Sequence, residues 1–321
     1  MLSSKLFPIK LAITLGDPSG IGPEITAKAL SFLKPRAEII IIGDRWVFDK
    51  AHKSGHFTQN IRFIDLNNVS RRNFSFGKIK PEYGRASIEY LEKAMALINN
   101  KEADALVTCP ISKEAASLSG FAYSGHTEYL LSKTNSEYSV MMLLNNYLKM
   151  SLVTTHVPIG EVSKKINKQK IIRTIALTHR SLKDLFGIKN PRIVVCGVNP
   201  HASDNGLIGS EENEIIKPAL SLVKKKFKGI EGPVPADTAV VKAIEGCYDA
   251  VVTMYHDQAL IPLKLSDSKS GVNITLGLPF VRTSPLHGTA FDIAGSGKAD
   301  PSSLIQAIKL AAICQLNLKK A

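Results

Sequence analysis

Short apolar runs rich in β-branched residues alternate with longer stretches of helical spacing along almost the whole of this 321-residue chain. KLAIT (10–14), EIIIIG (38–43), IRFID (61–65) and DALVTC (104–109) form a first set, and SVMMLL (139–144), MSLVTT (150–155), RIVVCGV (192–198) and AVVTM (250–254) a second. Such runs, bounded by turn residues, have the length of strands, and their unbroken hydrophobicity suits strands covered on both faces. Between them, SIEYLEKAMALI (87–98) sets Ile88, Leu91, Met95 and Ile98 at helical spacing, and IIRTIALTHRSLKDLF (171–186) does the same with Ile171, Ile175, Leu182 and Leu185. SSLIQAIKLAAICQL (302–316) is the last helix. Strands alternating with helices predict the α/β class with a largely parallel sheet. The length, with no internal repeat and no linker rich in Pro and Ser, predicts two α/β lobes with a cleft between them.

Parallel strands point the same way, so side chains just beyond their carboxyl ends gather along one edge, where ligand sites form. Three of the eight histidines stand there: His156 after SLVTT, His201 after RIVVCGVNP and His256 after AVVTMY. Imidazole is a common ligand of divalent metals, and a catalytic metal site typically takes three protein ligands and keeps a position open. These spacings match no short zinc pattern, so the expectation of a metal rests on topology alone. The alternative is three ordinary hydrogen-bonded loop histidines.

The charge of +13, from 41 Lys plus Arg against 28 Asp plus Glu, is compatible with a phosphorylated substrate. The basic runs VKKKFK (223–228) and SKKINKQK (163–170) lie on or beside apparent amphipathic helices, and with Phe227 as their one aromatic they lack the repeated interleaving that stacking on bases needs. They read as a solvated lysine-rich surface, and neither nucleic acid nor membrane is an expected partner. No apolar stretch reaches the ~20 residues needed to cross a bilayer, and Met1–Lys10 lacks the apolar core of an export signal. A cytoplasmic location is expected. The dispersed cysteines Cys109, Cys196, Cys247 and Cys314 form no C-x-x-C pair and read as reduced core thiols.

LGDPSGIGPEITAKAL (15–30) follows the first strand and opens a helix, with Pro23 suited to its first turn. Free amides at such a start attract anions, and a plain tight turn is the alternative. The segment is neither a P-loop nor a G-x-G-x-x-G fingerprint, because Ile25 replaces the third glycine of the latter. SGHTEYLLSKT (124–134) puts His126 and Thr127 at another helix start, where a phosphate or carboxylate could be met. YHDQALIPLKL (255–265) supplies Asp257 and Lys264, GVNITLGLPFVRTSPLHGTAFDIAG (271–295) supplies Asn273, Arg282 and His287, and PVPADT (233–238) supplies Asp237. A cation in an apolar stretch is costly to bury alone, so Lys264 and Arg282 call for an anionic partner.

In order along the chain, GDPSGIGPE, SGHTE, TTHVPI, NPH, YHDQALIPLK and GVNITLGLPFVRTSPLHGTAFDIAG resemble the motifs of the 4-hydroxythreonine-4-phosphate dehydrogenase family of vitamin B6 synthesis. More distantly, GIGPE and HGTAFDIAGSGKADP are similar to parts of isocitrate and isopropylmalate dehydrogenases. The resemblance implies a dinucleotide-side lobe of residues 1–125 plus 286–321 and a metal, substrate and dimerisation lobe of residues 126–285. It implies oxidation of 4-phosphooxy-L-threonine by NAD or NADP at the C3 hydroxyl, followed by decarboxylation to 3-amino-2-oxopropyl phosphate. One divalent ion per active site (Zn, Mg, Co or Mn) would be held by His156, His201 and His256, with both subunits of a homodimer contributing. The substrate would meet His126, Thr127, Lys264, Asn273 and Arg282, and the dinucleotide the loop of His287, Gly288, Asp292 and Gly295. Lys264, Asp237 and Asp257 are the candidates for catalytic or proton-relaying roles. Two departures stand out: Phe291 replaces a proline usual in the distant relatives, and Ser203 and Asp204 follow His-Ala where family members commonly have a glycine and an acidic residue. Paralogues acting on phospho-threonate, phospho-erythronate or a dihydrodiol carboxylate are the alternative.

Overall fold

The computed structural model describes residues 9–33, 37–51 and 60–320, so the reading of Met1–Lys10 falls almost wholly outside the described residues. The elements run β1 (Lys10–Thr14), α1 (Gly22–Phe32), β2 (Glu38–Gly43), α2 (Arg45–Ala51), β3 (Ile61–Asp65), α3 (Pro81–Asn99), β4 (Ala105–Thr108), α4 (Lys113–Leu118) and α5 (His126–Thr134). They continue with β5 (Val140–Leu144), β6 (Lys149–Leu152), α6 (Val162–Lys165), α7 (Lys168–Asp184), β7 (Ile193–Cys196), α8 (Lys217–Lys224), β8 (Ile230–Val234) and α9 (Ala236–Ile244). β9 (Ala250–Thr253), α10 (His256–Asp267), β10 (Val272–Leu276), β11 (Val281–Pro285) and α11 (Ser302–Leu318) complete them. All eight strand-like runs and all three helical stripes of the sequence are found.

The chain forms two compact units, one of residues up to Asn135 with Leu278–Lys319, the other of Ser136–Gly277. The sequence reading had put these divisions at 125/126 and 285/286. β11 belongs with the first unit because it pairs with β4, Arg282 lying beside Leu106. In that unit the strands lie in the order β3-β2-β1-β4-β11, all parallel. Consecutive residues Leu11, Ala12 and Ile13, like Ile39, Ile40 and Ile41, are buried, as covering on both faces demands. α3 packs on β1 and β2, and α11 on β11 and β4.

The second unit has the order β10-β5-β6-β9-β7-β8. β6, β9, β7 and β8 are mutually parallel, whereas β5 runs antiparallel to both β6 and β10. The departure has a local cause. Only Asn145–Leu148 separates β5 from β6, too few residues for a crossover, and the Asn145 side chain closes a tight turn by accepting from the amides of Tyr147 and Leu148 at 2.9 Å. β8, β10 and β11 were not anticipated: IEGPV and VRTSP carry Gly, Pro, Arg and Ser, which hide a strand from a hydrophobic pattern, whereas VNITL alternates apolar and polar residues over too short a run to stand out.

One helix pair in the first unit tolerates no side chain at its crossing. A Cβ on Gly84 of α3 would lie 2.0 Å from the carbonyl oxygen of Ala115 in α4. Gly84→Ala must therefore push the helices apart, and the expected loss is about 1–3 kcal/mol of stability in urea unfolding despite the better helix propensity of alanine.

Candidate active site

The three histidines leave neighbouring parallel strands. β6, β9 and β7 lie side by side, and their carboxyl ends lead to His156, His256 and His201 respectively. The rings of His156 and His256 face each other with centroids 5.6 Å apart. Nδ1 of His256 lies 2.7 Å from Oδ1 of Asp257, an arrangement that fixes the ring and directs Nε2 away from the carboxylate. His201 is exposed, with φ +53°, in a left-handed turn over residues 201–205. Among the described residues no three His, Cys, Asp or Glu side chains are drawn together as a metal cage. A single chain thus brings together His156 and His256, with His201 outside any group of three.

The loops carrying these histidines are tied to one another. Thr154 donates its hydroxyl to the carbonyl of Met254 at 2.6 Å, joining the exits of β6 and β9. Gln258 accepts the Met254 amide at 2.8 Å and donates to the carbonyl of Gly197 at 2.9 Å, joining the exits of β9 and β7. The fully buried carboxylate of Glu212 accepts the amides of Val198 and Asn199 at 2.8 Å each and the Asn199 side chain at 2.9 Å. Sequence reading missed all three residues. Gln258 lay in view in YHDQ beside a chosen histidine, whereas nothing local distinguishes Glu212 from its acidic neighbours.

In the first unit Arg282 is buried and donates from Nη2 to the Thr108 hydroxyl at 2.7 Å. Burial brings its pKa down from 12.5 to about 10, with Glu128 opposing, so it stays cationic at neutral pH. His126 begins α5 as expected, with Thr127 next to it, half-buried. Burial, then the charges of Arg282 and Lys113, hold the His126 imidazole well below the usual range and therefore neutral. His287 lies beyond β11 with Nδ1 3.1 Å from the Gly288 carbonyl, and burial lowers its pKa too. The buried atoms Nε2 of His126, Nε2 of His287 and, in the second unit, Oδ1 of Asn273 have no hydrogen-bond partner among the described residues. Buried polar atoms are rarely left so, and three residues marked for ligand contact from the sequence carry them.

Several expectations need correction. Lys264 is exposed on α10, so burial places no demand on it for an anionic partner. Cys247 is exposed, whereas Cys109, Cys196 and Cys314 are buried. The start of α1 offers no open anion cradle, because Gly22, Pro23 and Glu24 are buried. Glu24 instead accepts the amides of Ala299 at 2.9 Å and Gly297 at 3.2 Å, while Lys28 donates to the carbonyls of the same two residues at 2.8 and 2.7 Å. GIGPE therefore fastens the loop that follows His287. Gly295 in that loop has φ +72°, and a Cβ there would stand 2.3 Å from the Phe76 ring, which accounts for the glycine by packing. Asp292 is exposed, and Asp237 lies in the first turn of α9, its Oδ1 2.8 Å from the Thr238 amide.

The sheets and the histidine-bearing ends of parallel strands are those of an α/β fold, in which ligand sites form beyond the carboxyl ends of the strands. The family described as "Pyridoxal phosphate biosynthetic protein PdxA" matches residues 24–311, and the chain belongs to it. A 4-hydroxythreonine-4-phosphate dehydrogenase of Sulfurihydrogenibium sp. is 46% identical over 315 residues, covering 94% of this chain and 97% of the relative. A D-threonate 4-phosphate dehydrogenase of Salmonella typhimurium is 39% identical over 320 residues, covering 94% and 97%. The crystal structure of a 4-hydroxythreonine-4-phosphate dehydrogenase from Klebsiella pneumoniae superposes with a TM-score of 0.86 at 37% identity, covering 97% of this chain and all of that one.

Two tests follow from buried groups. Ser203 has φ +69° and a buried hydroxyl without a partner among the described residues. Ser203→Gly should raise stability by about 1 kcal/mol in urea unfolding, since glycine takes the left-handed conformation without strain. Asp17, wholly buried, has its pKa raised from 3.8 to about 6 by burial, against amide hydrogen bonds from Ser19 and Ser112. A raised carboxyl pKa favours the neutral form in the fold, so its contribution is complete below the unfolded pKa and is lost as pH rises through the folded one. The stability of Asp17→Asn relative to the parent should therefore grow by about 3 kcal/mol between about pH 2 and about pH 8 in urea unfolding.

Proposed function

We propose that the protein is an NAD(P)-dependent 4-hydroxythreonine-4-phosphate dehydrogenase that oxidises the C3 hydroxyl of 4-phosphooxy-L-threonine. The product, 2-amino-3-oxo-4-phosphooxybutanoate, loses carbon dioxide to give 3-amino-2-oxopropyl phosphate for pyridoxal phosphate synthesis. What carries the reading is the edge formed by β6, β9 and β7, each followed by a histidine, in a chain 46% identical to a relative of that name. The protein acts in the cytoplasm as a homodimer. His201, which lies outside the His156–His256 pair in one chain, joins a ligand set contributed by both subunits.

His156, His201 and His256 suit zinc or cobalt, and oxygen donors of the substrate would extend the choice to magnesium or manganese. When bound, such an ion supplies Lewis acidity toward the hydroxyl and the developing ketone. Asp257 keeps the His256 ring oriented through Nδ1. Asp237 and Asp257 are the carboxylates proposed to relay the hydroxyl proton. Arg282, cationic and anchored on Thr108, binds an anionic group of the substrate, and neutral His126 beside it contributes a hydrogen bond through Nε2 without adding charge. Thr127 adds its hydroxyl, and the exposed ammonium of Lys264 reaches an anion with no burial cost to overcome. Oδ1 of Asn273, lacking an internal donor, suits the substrate ammonium. The loop of His287, Gly288, Asp292 and Gly295 is assigned to the dinucleotide, which accepts the hydride; the free Nε2 of His287 supports that assignment.

The D-threonate 4-phosphate relative, at 39% identity, supports a second reading in which the C2 ammonium is replaced by hydroxyl. A panel of both substrates with NAD and NADP, followed by reduced-cofactor absorbance, separates them. The expected result is a kcat/KM about 100-fold higher, about 2.7 kcal/mol, for 4-phosphooxy-L-threonine. The opposite order would assign the threonate activity. Chelation should abolish turnover and a divalent ion restore it, and full turnover in metal-free protein would overturn the metal assignment.

A further inference from the structure

Gln258 lies in the first turn of α10, two residues after His256, and touches two strand exits at once. Its Oε1 accepts the amide of Met254, the residue following β9, and its Nε2 donates to the carbonyl of Gly197, the residue following β7. Beyond Gly197 the chain passes through Val198 and Asn199, both held by the buried carboxylate of Glu212, to His201. On the other side Thr154 ties Met254 to the exit of β6, two residues before His156. One line of hydrogen bonds therefore crosses the exits of all three histidine-bearing strands, and Gln258 is the only one of these side chains that donates to one histidine-bearing loop and accepts from another.

We propose that Gln258 is a positioning residue for the histidine edge: its amide ties the loop leading to His201 to the turn leading to His256, and so holds each histidine where the two-subunit ligand set for a divalent ion needs it. The proposal rests on the metal reading given above. An amide suits the place for a chemical reason. The position needs one acceptor and one donor; an ionised carboxylate of the same shape would keep the first and set a negative oxygen against the Gly197 carbonyl in place of the second. Groups that orient metal ligands from behind typically change metal affinity about 10–100-fold when altered.

The test uses the full-length protein, freed of metal and titrated with Co2+ while its visible absorption is recorded. Gln258→Glu should fold as the parent does by circular dichroism, bind Co2+ about 10–100-fold more weakly and show a changed ligand-field spectrum. Its kcat should fall more than its KM for the phosphorylated substrate changes, with excess metal restoring part of the loss. Gln258→Met, similar in size and uncharged, carries the test if the glutamate variant does not fold. Parental Co2+ affinity and spectrum in a folded variant would overturn the proposal while leaving the metal reading intact. If the parent itself binds no Co2+, the metal reading fails, and the bridge is then judged by hydrogen exchange of the metal-free proteins across residues 197–203 and 254–258. Faster exchange in both segments of the variant would support the bridge, and unchanged exchange would overturn it.

Discussion

Parallel strands cannot be joined by a hairpin, so β7 and β9 are each reached by a crossover, while β6 follows β5 through the Asn145–Leu148 turn, and the loops leaving the carboxyl ends of β6, β9 and β7 are set side by side. The candidate site depends on that constraint. His156, His256 and His201 are far apart in sequence, yet each follows one of three neighbouring strands by a few residues. Register decides the rest: Met150 pairs with Val251 and Val194 with Val251, so the three exits fall nearly level. Thr154, Gln258 and Glu212 then convert adjacent loops into connected ones.

Buried charge is used differently in the first unit. Glu24 and Lys28 satisfy each other and the amides and carbonyls of Gly297 and Ala299, which leaves nothing over for a ligand. His126 and His287 retain a ring nitrogen that nothing among the described residues meets. A protein interior normally pairs such groups, and leaving them open costs stability unless something bound completes them. The same reasoning separates Glu24 and Lys28, whose polar groups are consumed in holding a loop, from His126 and His287, whose ring nitrogens are not.

Much of this was legible in the chain itself. Runs such as EIIIIG can be little but buried strands, and SIEYLEKAMALI has one apolar face at helical spacing, so the α/β class and the strand-end positions of the histidines required no coordinates. VRTSP was not legible as a strand, because Arg, Thr and Ser in a short buried strand leave no apolar period to detect; VNITL does alternate apolar and polar residues, but five residues of it between glycines were too short to stand out. Lys264 was misread for a related reason: apolar neighbours in sequence made it look buried, yet on a helix neighbours point to different faces, and this one points outward.

By itself the sequence determined the alternation of strand and helix, the kinds of side chain delivered to the strand ends and the membership of a family, since these depend on local pattern and residue identity. Only the tertiary structure decided that β5 turns back on β6, that β6, β9 and β7 are neighbours, and that Gln258, Glu212 and Thr154 link their exits. Those are contacts between residues up to about a hundred positions apart, with Thr154 and Met254 separated by 100. Strand order and burial bring such residues together, and no local periodicity records which distant partner a buried amide or carboxylate will find.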